Sequence, residues 1–150
     1  MNSELRDLYQ EVIVDHSKRP RNFRKLASGH SAEGYNPLCG DRVTVYVDAA
    51  NDIVRDVSFE GCGCAISTAS ASVMTEVVKG KSRSEARKLF DTFHAMVTKG
   101  PQAIEGRDVG KLGVFAGVSE FPSRVKCAVL AWHTFEAALK GEDAVPVSTE

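Results

Sequence analysis

The chemistry offered by this sequence lies in four cysteines and one aspartate. Cys39 and Asp41 are separated by one residue, just ahead of a strand-like pattern. Cys62 and Cys64 stand where a strand-like pattern gives way to a helical one, and Cys127 lies near the start of the last helical pattern. Thiolates together with a carboxylate suit tetrahedral Zn²⁺, and sulfur-rich sets also hold iron–sulfur clusters. If the fold brings these segments together, we expect a metal-binding or thiol-chemistry site.

The positions of two of these cysteines favour ionised thiols. Cys64 begins one predicted helix and Cys127 lies near the beginning of another, where the helix dipole places roughly half a positive charge. Arg124 precedes Cys127 by three residues, so the two share a helix face and the guanidinium would stabilise a thiolate. The predicted zinc ligands are Cys39, Asp41, Cys64 and Cys127. Spacing alone leaves alternatives open, because a lone cysteine is often a small buried side chain and an aspartate before a strand is often a turn residue.

Length and charge limit the class of protein. A chain of 150 residues is expected to form a single domain over residues 1–150. The formal net charge of −1 gives no bulk-charge argument for binding nucleic acid or a membrane surface. The first residues contain no apolar signal-peptide segment, and no apolar run approaches the length of a membrane span. We therefore expect a cytoplasmic protein, in which cysteines serve metal binding or thiol chemistry more often than disulfides.

The first half of the chain predicts one helix and a small antiparallel sheet. An apolar stripe at helical spacing begins near Ser3 and ends before Pro20, and it consists of Leu5, Leu8, Tyr9, Val12 and Ile13. A short edge strand is expected near 29–35. Alternating residues predict two further strands, around 43–47 and 53–59, joined by a hairpin at 49–52. In the second of these, Ile53, Val57 and Phe59 are expected to share the apolar face.

The second half predicts helices. One follows Gly63 and ends at Gly80, and the next begins at a capping box formed by Ser82 and Glu85. A short helix is expected around 108–116, and the last helix runs from about Pro122 to Gly141. The tail, about 142–150, is expected to be disordered. This order predicts an α+β fold, with two or three antiparallel strands packed against several helices.

Several motifs in this order resemble the SufU family, the zinc-dependent sulfurtransferase members of the IscU-like, NifU N-terminal-like group. They are Asn-Pro-Leu-Cys-Gly-Asp at 36–41, Gly-Cys-Ala-Ile-Ser-Thr-Ala at 63–69 and Arg-Val-Lys-Cys-Ala-Val-Leu-Ala-Trp at 124–132. Asp-His-Ser-Lys-Arg-Pro at 15–20 is also similar. The resemblance covers roughly residues 4–140.

This resemblance implies a fold, a metal site and a partner. The fold would be a three-stranded antiparallel sheet packed against helices, and zinc would be held at the positions of Cys39, Asp41, Cys64 and Cys127. A pyridoxal-phosphate (PLP)-dependent, SufS-like cysteine desulfurase would pass persulfide sulfur to Cys39. That sulfur would then reach a downstream iron–sulfur assembly complex.

Related functions remain as alternatives. An IscU-like scaffold would hold a [2Fe-2S] cluster, and a purely structural zinc module would bind a partner without accepting sulfur. Lys126 stands where IscU-type proteins have histidine, and the span between Cys64 and Cys127 is longer than theirs, so both features favour the sulfurtransferase. Cys62 instead matches the IscU-type position, in which the cysteine precedes the glycine. The third thiolate ligand is therefore either Cys62 or Cys64, and we expect Cys64, with Cys62 as an accessory thiol.

Overall fold

A three-stranded antiparallel sheet packs against helices, which confirms the predicted α+β class. A computed structural model of the chain describes residues 3–141 and 146–150. The elements in chain order are α1 (Ser3–Lys18), β1 (His30–Asn36), β2 (Asp41–Ala50), β3 (Ile53–Cys62), α2 (Ala65–Val78), α3 (Arg83–Lys99), two 3-10 helices (Pro101–Ile104 and Gly110–Glu120) and α4 (Pro122–Lys140). None of the described helices combines the length and apolar character needed to cross a membrane.

The sheet brings two of the cysteine segments to the same end. Its strand order is β1-β2-β3, and Asn36 at the end of β1 pairs with Asp41 at the start of β2. Arg42 in turn pairs with Cys62 at the end of β3. The loop that carries Cys39 and the segment that leads into α2 therefore flank the first residues of β2.

A β-bulge changes which residues of β3 face the core. Asp48 pairs with Asp56, but Ala49 pairs with Val54, so β3 has one extra residue at this point. The bulge shifts the alternation, and Val54 is fully buried whereas Ile53 is 38% exposed. The prediction that Ile53 shares the apolar face with Val57 and Phe59 was therefore wrong.

Helix α4 lies at the centre of the molecule, against β1, β2, α2 and α3. Its Trp132 is completely buried and stacks on Phe93 of α3, with ring centroids 5.0 Å apart. The opposite layer is formed by the alternating valines Val43, Val45 and Val47 of β2, all of which are buried. Most of α4 from Cys127 onward is buried, so packing against the sheet and α2 positions the turn that carries Cys127.

Buried hydrogen bonds join α1 to α2. His16 Nδ1 lies 2.7 Å from the Ser72 hydroxyl, which also accepts a hydrogen bond from the Arg21 amide at 2.8 Å. Burial lowers the pKa of His16, so the neutral imidazole is favoured. The helix predicted to begin near Ser3 is confirmed as α1, although Leu5 and Leu8 at its start are exposed.

The predicted capping box of α3 is confirmed, since the Ser82 hydroxyl and the Glu85 carboxylate accept from each other's backbone amides. The expected helix at 108–116 is instead a 3-10 segment from Gly110 to Glu120. It contains Gly110, Gly113 and Gly117, and glycine disfavours a regular α-helix.

The tail differs from the predicted disorder where the structure describes it. Residues 142–145 of that prediction lie outside the described residues. Residues 146–150, called here the C-terminal segment, run along β1. The Val147 amide donates to Glu33 O at 2.7 Å, and Val147 O accepts from the Tyr35 amide at 2.8 Å. The backbone N–H and C=O groups on the outer edge of β1 need hydrogen-bond partners. The sequence of the tail gave no sign that Val147 would be that partner.

Candidate metal centre

Three of the four predicted ligands meet at one end of the sheet. The Sγ atoms of Cys39 and Cys127 and a carboxylate oxygen of Asp41 lie within 4.8 Å of one another. Cys39 comes from the loop between β1 and β2, Asp41 from the first position of β2, and Cys127 from the beginning of α4. Asp41 and Cys127 are buried and Cys39 is half-buried.

The carboxylate of Asp41 has one satisfied oxygen and one without a partner. Oδ1 accepts a hydrogen bond from the Cys64 amide at 2.9 Å. Oδ2 is buried and has no hydrogen-bond partner, although the residue is 0% exposed. A buried carboxylate oxygen without a partner is unfavourable, and a bound cation would compensate it.

Gly63 provides the space in which the Asp41 carboxylate lies. A Cβ atom at position 63 would stand 2.5 Å from Asp41 Oδ1 and 3.1 Å from its Cγ. Any larger residue would have to displace the carboxylate from its hydrogen bond to Cys64. Glycine at this position therefore preserves the orientation of Asp41.

Cys64 lies beside this three-residue group and caps α2. Its Sγ accepts a hydrogen bond from the Ser67 amide at 3.4 Å, and its backbone is in the extended conformation of an N-cap residue. The Cys64 and Cys127 side chains interact with each other, and Arg124 interacts with both. Interaction with these two thiols, that of Cys64 first, raises the pKa of the Arg124 guanidinium, because the cation would stabilise either thiol in its ionised form. The predicted position of Arg124 next to the thiols agrees with this geometry.

Burial raises the pKa of the Cys127 thiol well above its ordinary range. The neighbouring Asp41 carboxylate and the negative charge of Cys64 act in the same direction. With only the protein groups around it, this thiol therefore keeps its proton. A divalent cation among the same groups would reverse the preference, because it stabilises the thiolate directly.

Cys62 faces away from the other thiols. It pairs directly with Arg42, so the two side chains lie on the same face of the sheet. Asp41 precedes Arg42 in β2 and points to the opposite face, because side chains alternate along a strand. Cys62 is also exposed.

The sequence analysis did not identify two residues that contact the candidate centre. Glu150, in the C-terminal segment, accepts hydrogen bonds from the amides of Leu38 and Cys39 at 3.0 and 3.1 Å. Asn36, at the base of the same loop, is 0% exposed and bonds to Thr149. Asn36 was visible within the motif at 36–41, but nothing in the tail sequence indicated its partner.

The donor set fits a tetrahedral divalent cation. In a tetrahedral site, zinc–sulfur bonds of about 2.3 Å place neighbouring ligand atoms about 4 Å apart. The 4.8 Å limit that encloses the three ligand atoms is close to this spacing. The unpartnered Asp41 oxygen and the buried Cys127 thiol are the groups whose burial a cation would compensate.

Comparison with known proteins agrees with this geometry. Residues 8–140 match the model of the NifU-like N terminal domain. The chain is 42% identical to the iron–sulfur cluster assembly scaffold protein IscU of Streptococcus pyogenes serotype M1, over 92% of this chain and 86% of the relative. It is 41% identical to the zinc-dependent sulfurtransferase SufU of Bacillus subtilis (strain 168), over 95% and 96% of the two chains.

A solved structure shares the fold. It is that of FiSufU from Fervidobacterium islandicum AW-1, described as a candidate iron–sulfur cluster assembly scaffold protein for the SUF system. The two chains are 37% identical, the match covers 92% of this chain and 99% of the other, and the TM-score is 0.78. By its sequence, its fold and the position of its thiols, the chain belongs to the family of NifU-like N-terminal domains, which includes the proteins named IscU and SufU.

Proposed function

We propose that this protein is a zinc-dependent sulfurtransferase of iron–sulfur cluster assembly. It accepts persulfide sulfur from a PLP-dependent cysteine desulfurase and passes it to a downstream assembly complex. The observation that carries the proposal is the unpartnered, buried Asp41 oxygen among the thiols of Cys39 and Cys127. A set of one hard oxygen and soft thiolates suits Zn²⁺. The 41% identity to a protein named as a zinc-dependent sulfurtransferase supports the same function.

The proposed zinc ligands are Cys39, Asp41, Cys64 and Cys127. When bound, zinc keeps the ligating thiols ionised at neutral pH and shields them from oxidation. The Cys64 amide holds the Asp41 carboxylate in place, and Arg124 offsets the negative charge of Cys64 and Cys127. Cys64 is assigned as the fourth ligand because it interacts with Cys127, whereas Cys62 lies on the other face of the sheet.

Cys39 is the proposed sulfur acceptor, because it is half-exposed and lies on a loop, whereas the equally half-exposed Cys64 caps α2 and Cys127 is buried. Its neighbour Leu38 is 84% exposed, so a docking protein can contact the tip of this loop while Cys39 itself is only half-exposed. The Cys39 thiolate attacks the terminal sulfur of the desulfurase persulfide. The sulfur–sulfur bond of that persulfide breaks, the desulfurase cysteine leaves as a thiolate, and Cys39 carries the new persulfide.

An iron–sulfur scaffold is the second candidate function. The relative from Streptococcus pyogenes is named as a scaffold, and three thiols close to one carboxylate could also ligate a [2Fe-2S] cluster. Lys126, which stands where IscU-type proteins have histidine, favours the zinc site.

Metal analysis of protein purified without oxygen separates these functions. A sulfurtransferase should contain about one zinc per chain, without sulfide or visible absorbance, since four ligands complete one tetrahedral site. A scaffold should contain iron and sulfide and absorb visible light. If zinc is present but incubation with a cysteine desulfurase and cysteine gives no persulfide, the protein is a structural zinc module instead.

A further inference from the structure

The C-terminal segment contacts the loop that carries Cys39. Glu150 accepts hydrogen bonds from the Leu38 and Cys39 amides, and Lys126 Nζ lies 3.9 Å from Glu150 Oε2. The Cys39 side chain also interacts with the Glu150 carboxylate and helps to lower its pKa. A carboxylate therefore lies directly against the proposed sulfur acceptor.

The same segment is anchored at the base of the loop through Asn36. Asn36 Nδ2 donates to Thr149 Oγ1 at 2.8 Å, and Asn36 Oδ1 accepts from the Thr149 amide at 2.9 Å and from the Ser148 hydroxyl at 3.2 Å. The Thr149 hydroxyl in turn donates to Lys126 O at 2.8 Å, next to Cys127. The side-chain amide of the completely buried Asn36 therefore forms most of its hydrogen bonds with the C-terminal segment.

These contacts link three parts of the metal centre. Asn36 begins the loop, Cys39 lies within it, and Lys126 precedes the Cys127 ligand on α4. Ser148, Thr149 and Glu150 of the C-terminal segment make these contacts, and Val147 pairs with the edge of β1 just before them. An attachment made of individual hydrogen bonds at a sheet edge opens far more easily than the packed core.

We propose that the C-terminal segment is an autoinhibitory strap that holds the Cys39 loop closed, and that its release exposes Cys39 to the desulfurase. In the closed state, the Glu150 carboxylate occupies the approach to the Cys39 thiol and repels an incoming persulfide anion. In the open state, the loop loses both amide contacts and Cys39 is free to move outward. This regulation rests on the proposed sulfurtransferase function, but the closed state itself does not depend on it.

Alkylation of Cys39 by iodoacetamide measures the open state without a desulfurase. The test compares metal-free, reduced wild-type protein with Thr149→Val, which removes the hydroxyl contacts to Asn36 and Lys126, and with a chain lacking residues 146–150. Thr98→Val is the matched control, because the Thr98 hydroxyl bonds only to His94 O within α3 in the described structure. Peptide mass spectrometry follows Cys39, with Cys62 as an internal reference.

We expect Thr149→Val to accelerate Cys39 alkylation at least about fivefold, because that is the change caused by losing one hydrogen bond of ordinary strength and this variant loses two. The shortened chain should react faster still, while Thr98→Val and the Cys62 peptide should match wild type. Unchanged Cys39 reactivity in Thr149→Val overturns the proposal, even if the shortened chain fails to fold. If alkylation accelerates but no variant accepts persulfide sulfur, the strap stands and the sulfurtransferase proposal fails.

Discussion

At the scale of single residues, the candidate centre depends on how Asp41 is oriented. Its Oδ1 is fixed by the Cys64 amide, and this leaves Oδ2 among the thiols without a protein partner. A buried carboxylate oxygen usually has a hydrogen-bond partner, so this unpartnered oxygen supports the proposed metal site. We therefore expect Gly63, which contacts the carboxylate but offers no ligand atom, to affect metal affinity through the orientation of Asp41.

Gly63→Ala tests this control. The added Cβ would stand 2.5 Å from Asp41 Oδ1, so the carboxylate must turn away from Cys64. Loss of such a supporting contact typically lowers metal affinity about 10–100-fold. A competition titration with a zinc chelator measures the effect. Gly117→Ala is the control, because its nearest neighbour would be 3.6 Å away, and equal affinities in the two variants would contradict the assigned role of Gly63.

Substitution of Cys62 and Cys64 tests the third thiolate ligand. Cys64→Ser keeps an oxygen that accepts from the Ser67 amide, so the cap of α2 survives while the thiolate is lost. We expect this variant to lose most of its zinc and Cys62→Ala to keep about one zinc per chain, as a complete tetrahedral site would. Elemental analysis of both purified variants gives the answer. Zinc retained in Cys64→Ser but lost in Cys62→Ala would assign the ligand to Cys62.

At the scale of secondary-structure elements, periodicity and capping residues predicted most of the fold. Helical spacing and the Ser82–Glu85 box identified α1 and α3, and alternation identified β2. The orientation of Ile53 was missed because a bulge depends on how two strands pair, which one strand's pattern does not reveal. The docking of the C-terminal segment was missed for a similar reason, since it depends on the free edge of β1.

The contact between α1 and α2 gives a prediction at this scale. Ser72→Ala removes the hydroxyl that bonds to both His16 Nδ1 and the Arg21 amide, so the buried Nδ1 and the partly buried amide each lose this partner. The free energy of unfolding should fall by about 1–3 kcal/mol. Chemical denaturation measures it, with the exposed Ser31→Ala as the control. A loss no larger than that of Ser31→Ala would show that the contact does not stabilise the helix pair.

At the scale of the whole molecule, the candidate site was predictable as a set of residue types but not as a geometry. The cysteine motifs and their order indicated Cys39, Asp41 and Cys127, which the fold brings together. The unpartnered Asp41 oxygen and the exclusion of Cys62 from the group depend on strand register. The role of Glu150 depends on a contact across more than a hundred residues of sequence, between positions 39 and 150.

The stability of the metal-free protein should decrease as the pH falls below about 6.5, the ordinary pKa of histidine. Burial lowers the pKa of both His16 and His133, so the unfolded chain binds protons that the folded chain does not. The Asp15 carboxyl beside Arg21 and Arg19 has its pKa lowered to about 2 and does not titrate in this range. Denaturation at pH 7.5 and 5.5 measures the loss, and replacing both histidines with asparagine should reduce it. If the double variant loses as much stability between these two pH values as the wild type does, the loss does not come from His16 and His133.

The central claim is that Cys39 accepts sulfur, and the most direct measurement is the position of the persulfide after reaction with a cysteine desulfurase and cysteine. Peptide mass spectrometry should find one added sulfur on the Cys39 peptide in wild-type protein and in Cys62→Ser. Cys39→Ser should carry none and should not stimulate desulfurase turnover. A persulfide on Cys62 in the wild type, or stimulation that survives Cys39→Ser, would contradict the claim.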